Sequence, residues 1–112
     1  MVRQGDSIEV LLNRIDDTFQ SKARLGIVAA LAASCSLDFK ALKAALGLSD
    51  GNLSSHLSYL ERRGFVRSEK SFVRKRSHTE LFLTEDGRIA LGQYVDVLEA
   101  IVDRGKRGNE GE

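Results

Sequence analysis

A chain of 112 residues, 42% of them hydrophobic and 29% charged, can build one soluble core and leaves no room for a second domain. The longest apolar run, residues 25–33, is about half of what a membrane span needs, and the N-terminus lacks the charged-then-apolar pattern of a signal peptide. One cysteine, Cys35, excludes an internal disulfide and suits a reducing interior, so a cytoplasmic protein is expected.

The chain opens with six residues expected to be flexible. Asp6 and Glu9 then have the spacing of a capping box, ahead of Ile8, Leu11, Leu12, Ile15 and Phe19, an apolar stripe that predicts a helix over 7–19. A bend at 20–23 leads into a second helix over 24–34, apolar almost all round and therefore central. Ser36 or Asp38 caps a third helix that turns Phe39, Leu42, Ala45 and Leu46 inward, and Gly47 with Leu48 supplies its stop. Ser49 or Asp50 caps a fourth, with Leu53, Leu57 and Leu60 as its buried stripe, and Gly64 with Phe65 repeats the stop. The period then changes to alternation, which predicts strands over 65–72 and 79–84 around a polar, basic hairpin tip at 73–78. Thr84 caps a last helix to about residue 103, with Leu91, Tyr94, Val95, Leu98, Ile101 and Val102 as its stripe. Residues 104–112, rich in glycine and charge, are expected to be a disordered tail, so that 7–103 forms the single domain.

Charge is unevenly placed. Arg62, Arg63, Arg67, Lys70, Arg74, Lys75 and Arg76 face only Glu69 in their stretch, whereas Glu80, Glu85, Asp86, Asp96, Glu99 and Asp103 face only Arg88 in theirs. A near-neutral chain with one basic segment has a field suited to a polyanion. Two short helices joined by a glycine turn make a helix-turn-helix, and the apolar helix before them with the basic hairpin after them completes a winged helix. The expected fold class is mainly α with a small β-hairpin wing and additional N- and C-terminal helices.

The stretch from Leu37 to Lys43, the stretch from Leu48 to Val66, Lys70-Ser71-Phe72 and the Leu83-Thr84-Glu85-Asp86-Gly87-Arg88 opening of the last helix resemble a family of small winged-helix regulators related to the MarR and ArsR types. The resemblance covers roughly residues 23–100, and it implies dimeric, sequence-specific DNA binding, usually repression.

The residues point the same way. With the leucines inward, Ser49, Asn52, Ser54, Ser55, Ser58, Tyr59 and Arg62 line the side of the fourth helix available to a major groove. Arg74, Lys75, Arg76 and His78 on the hairpin suit the adjacent minor groove or the phosphates. Tyr59 packs against the wing or touches DNA, and His56 at the edge of the stripe is expected to make a structural hydrogen bond. The expected partners are double-stranded DNA and a second copy of the chain, held through Ile8, Leu11, Leu12, Ile15, Leu91, Tyr94, Leu98, Ile101 and Val102. A small-molecule effector has room between the terminal helices and the body, but nothing names one. Cys35 is expected to be buried as a small hydrophobe, with a redox sensor as the alternative. One cysteine and two separated histidines make no metal site, no cofactor is implied, and no catalytic set is present. A winged-helix adaptor that binds protein instead of DNA is the competing class.

Overall fold

The computed structural model describes residues 2–3 and 5–110, the side chains of residues 109 and 110 excepted. Helix α1 spans Ile8–Asn13 and is followed by a short 3-10 helix, Asp17–Gln20. Helix α2 (Lys22–Ala32), strand β1 (Leu37–Asp38), α3 (Phe39–Leu46) and α4 (Asp50–Arg62) come next, then strands β2 (Val66–Val73) and β3 (Arg76–Leu83), and α5 (Glu85–Glu110). The expected winged helix with flanking terminal helices is the architecture found.

Side-chain caps set most of these boundaries. Asp38 accepts the Ala41 N–H at 2.7 Å at the start of α3, and Ser49 accepts the Asn52 N–H at 3.1 Å at the start of α4. Gly47 and Gly64 end the two helices in the left-handed region, at φ 64° and 76°. In each case the next residue's N–H reaches back five positions, Leu48 to the Lys43 carbonyl and Phe65 to that of Leu60.

Leu31, Ile27 and Val28 of α2 are fully buried against Leu42 of α3, Leu53 and Leu60 of α4, and Leu81 of β3. Phe19 closes the core by stacking on Tyr94 at 4.9 Å between centroids and on Phe65 at 6.5 Å. The sheet order is β1-β3-β2, all antiparallel, with Leu37 opposite Leu81 and Val66 opposite Leu83.

A tight joint fixes the last helix to the body. Thr84 accepts the Gly87 N–H at 3.0 Å, donates its hydroxyl to the Gly64 carbonyl at 2.6 Å, and gives its own N–H to the Phe65 carbonyl at 3.0 Å. Gly87 lies so close that a Cβ there would stand 2.4 Å from the Phe65 oxygen and 2.5 Å from Leu83 Cδ1. The Leu-Thr-x-x-Gly run is thus a packing motif in which helix, strand and turn meet with no space for a side chain.

The structure corrects several expectations. The stripe over 7–19 is not one helix: Arg14 ends α1, and Asp16 enters the extended region to cap the 3-10 helix by accepting the Thr18 N–H at 2.9 Å. Ser7, not Asp6, caps α1; the Asp6 carboxylate instead takes the Arg3 N–H at 2.7 Å and pairs with Arg14 at 3.1 Å. The hairpin loop is two residues, Arg74 and Lys75, because β3 begins at Arg76. Helix α5 continues through 104–110, where a disordered tail is expected; residues 111 and 112, like Met1 and Gln4, lie outside the described residues. Cys35 is exposed rather than buried, since it falls in the bend between α2 and β1 and not on the apolar helix before it.

Candidate nucleic-acid interface

Helix α4 packs through Leu53, Leu57 and Leu60, so positions between these leucines face away from the body. Asn52, Ser54, Ser55, Ser58 and Arg62 are all exposed, and among the described residues none of their side chains has a hydrogen bond or ion pair within the chain. Ser49 is exposed too, with its oxygen engaged as the cap. Gly51 borders open space, with nothing within 4 Å of where its Cβ would be. A glycine in a first helical turn costs roughly 1 kcal/mol relative to alanine, and no internal packing asks for it here. It leaves a helix edge that another molecule's backbone can approach closely.

Tyr59 leaves this group. Its ring lies under the Arg24 guanidinium, 4.1 Å from the centroid, and its hydroxyl accepts from Thr18 Oγ1 at 3.5 Å. It therefore packs against the turn between α1 and α2, not against the wing. Arg24 also donates to the Thr18 and Asp17 carbonyls, and Arg63 pairs with Asp16, so the C-terminal half of α4 is braced against that turn. Burial pushes the Asp16 carboxyl up, but hydrogen bonds from the Thr18 backbone and side chain, together with the Arg63 charge, outweigh it and hold the pKa below the ordinary value. His56 is half-buried and makes no hydrogen bond within the described residues, contrary to its expected role.

Arg74 and Lys75, at the wing tip, both have positive φ, 52° and 66°. Such a turn favours glycine, which has no Cβ, and asparagine, whose short polar side chain can hydrogen-bond locally; other residues are strained there by roughly 1 kcal/mol or more each. Two long cations are nonetheless held in that conformation. Arg74, Lys75 and Arg76 are exposed and without ion pairs among the described residues. His78 is different: its Nε2 lies 2.9 Å from Glu80 Oε2, while Ser36 donates to Glu80 Oε1 at 2.8 Å. It belongs to a side-chain network on the strand, not to the open tip.

The residues matched by the family model for the winged helix DNA-binding domain are 23–102, most of the chain and the whole of the unit just described. The chain belongs to this family. It is 40% identical over 77 residues to an uncharacterized protein of Methanocaldococcus jannaschii, across 69% of this chain and 84% of that one. A transcriptional regulator homologue from Pyrococcus horikoshii superposes with a TM-score of 0.75 at 29% identity, covering 83% of this chain and 94% of that one. A MarR-family regulator from Silicibacter pomeroyi superposes at 0.59 with 25% identity, covering 90% and 65%. The protein is a MarR-like winged-helix DNA-binding regulator, and the family and these neighbours are regulators, not enzymes.

In this winged helix the terminal helices carry the remaining expected residues. Leu11 is fully buried where α1 meets α5, and Leu91 and Tyr94 pack on the chain's own core. Ile8, Leu12, Leu98 and Val102 are exposed, and Ile15 and Ile101 are half-buried. Val10, Ile89 and Val95 are also exposed. Only Val95 stood in an apolar stripe read from the sequence, and none of the three was assigned to the pairing surface. A groove of about 890 Å³ lies between the N-terminal segment, α1 and α5, and its lining mixes apolar side chains such as Leu11 and Val97 with charged ones of both signs, among them Arg14, Asp96, Asp103 and Arg107. Among the described residues no helix is long and apolar enough to cross a membrane.

Proposed function

We propose that the chain binds duplex DNA sequence-specifically as a homodimer and represses transcription. Helix α4 enters the major groove, with Asn52, Ser54, Ser55 and Ser58 toward bases and Ser49 and Arg62 toward phosphates; Arg74, Lys75 and Arg76 of the wing reach the minor groove or backbone. The observation that carries this is the unused hydrogen-bonding capacity along the outer side of α4. Uncommitted side chains at regular helical spacing on an otherwise well-satisfied domain suit an external partner rich in donors and acceptors.

Shape supports the dimer. The molecule measures 66 × 24 × 21 Å with a radius of gyration of 17.2 Å, whereas a compact chain of this length has about 13 Å. The 26-residue α5 leaves Val95, Leu98 and Val102 uncovered along one side. A second copy across a two-fold axis covers this stripe and sets two α4 helices about one DNA turn apart. A small effector would fit the groove between α1 and α5.

Selection of bound duplexes from a random pool tests the proposal. The expected result is a palindrome with half-sites about ten base pairs apart. Arg74, Lys75 and Arg76 changed together to alanine weaken binding to every sequence and flatten its salt dependence, whereas Asn52→Ala and Ser55→Ala change the preferred sequence. No enrichment over the input pool refutes DNA reading and leaves the adaptor class; a single asymmetric site bound by a persistent monomer refutes the dimer.

A further inference from the structure

Strands β2 and β3 are eight residues each, yet only Val66 of β2 and Leu81 of β3 are buried. The hairpin outruns its core. Register pairs Val66 with Leu83, Ser68 with Leu81, Lys70 with Thr79 and Phe72 with Ser77, so these eight side chains share one sheet face. That face begins as the packed side, and at Phe72, about 20 Å further along the strand, it stands free of the body. Phe72 is 80% exposed, the most exposed large hydrophobic residue described, and Val73 beside it is 54% exposed.

The two faces differ in charge. The other face carries Glu69 opposite Glu80, and these hold Arg67 and His78 respectively. Beyond the core, the Phe72 face carries Lys70, Thr79 and Ser77 with no carboxylate, and it ends at the Arg74–Lys75 turn. An aromatic ring on a carboxylate-free face, at the end of a rigid cationic hairpin, fits an apolar slot with anionic walls. The minor groove of DNA has that chemistry, and apolar side chains inserted there wedge between base steps and kink the duplex.

We infer that Phe72 is a minor-groove wedge, inserted by the wing at a flexible pyrimidine–purine step beside each half-site. The inference rests on the DNA-binding reading of the same wing and adds what the cations alone cannot supply, a preference for a deformable step that no side chain reads by hydrogen bonds. An anionic membrane surface is the other partner for such a tip; the wing's attachment to an α4 with open hydrogen-bonding groups favours DNA.

The test uses the full chain and a duplex selected by it, with 2-aminopurine placed at the step flanking each half-site. Native protein is expected to raise the 2-aminopurine emission by unstacking it. Phe72→Ala is expected to abolish that rise, weaken binding by about tenfold and remove the preference for TA or CA at the step, with the slope of affinity against salt unchanged. Phe72→Leu retains most of the emission change. Because Phe72 is exposed, an unchanged melting temperature for Phe72→Ala confirms that the fold is intact. A selected duplex that Phe72→Ala binds with native affinity and emission overturns the wedge alone. Failure of the native chain to select any duplex overturns DNA binding and the wedge together. Phe72-dependent co-sedimentation with phosphatidylserine vesicles, without any effect on duplex binding, assigns the ring to membrane and overturns the wedge.

Discussion

Replacing Gly87 by alanine sets two well-defined forces against each other. Alanine gains roughly 1 kcal/mol over glycine inside a helix. Here its Cβ would fall 2.4 Å from the Phe65 carbonyl oxygen and 2.5 Å from Leu83 Cδ1. Carbon–oxygen contacts sit at about 3.3 Å or more, so something must move by about 1 Å. Leu83 can rotate in part, but the Phe65 carbonyl is held by the Thr84 N–H at 3.0 Å. Overpacking costs roughly 1–3 kcal/mol and loss of that hydrogen bond about 1 more. The net expectation is destabilisation by about 2 kcal/mol, or a fall in melting temperature of about 10 °C. Urea unfolding at fixed protein concentration measures it as a lower midpoint with unchanged slope. An unchanged or raised midpoint means that helix propensity outweighs the clash, and refutes the account of the Leu-Thr-x-x-Gly joint.

The same substitution at Gly51, where nothing lies within 4 Å, should behave oppositely: up to about 1 kcal/mol more stable by urea, with weaker binding to the selected duplex in fluorescence anisotropy. Arg74→Asn with Lys75→Gly relieves the positive-φ strain and should raise the unfolding free energy in urea by about 1–2 kcal/mol while lowering affinity for all duplexes. Asp16→Ala removes a cap and the Arg63 pair and should cost about 1–2 kcal/mol at pH 7 in urea unfolding. Since the folded pKa of Asp16 is depressed, its stabilisation is present above the ordinary value of 3.8 and lost as pH falls below it through the folded value; native and Asp16→Ala chains should therefore converge in stability at low pH.

Much of this fold is written in local signals. Gly47, Gly64, Asp38, Ser49 and Thr84 stop or start helices through bonds that span at most five residues or through a left-handed φ, and such signals can be read along the chain. The leucine stripe of α4 likewise separates its buried side from its open one. What escapes is set by distant partners. Strand β1 is two residues long, too short for any periodicity, and exists because β3 has an edge to pair with. Ile15 and Phe19 continue the spacing of α1, but Asp16 breaks the helix when it caps the turn braced by Arg63. Tyr59 faces Arg24 and Thr18, residues far from it in sequence. Phe72 shares a sheet face with the buried Val66, and only the length of the hairpin relative to the core shows that this face has nothing left to cover it.

The two-residue turn between Val73 and Arg76 bears on the kinetics of recognition. A hairpin closed this tightly has little conformational freedom to surrender on docking, unlike a long loop that must be ordered in the encounter. Capture of a polyanion then depends on diffusion and orientation, and the strain stored at the turn is spent in folding, before any partner is met.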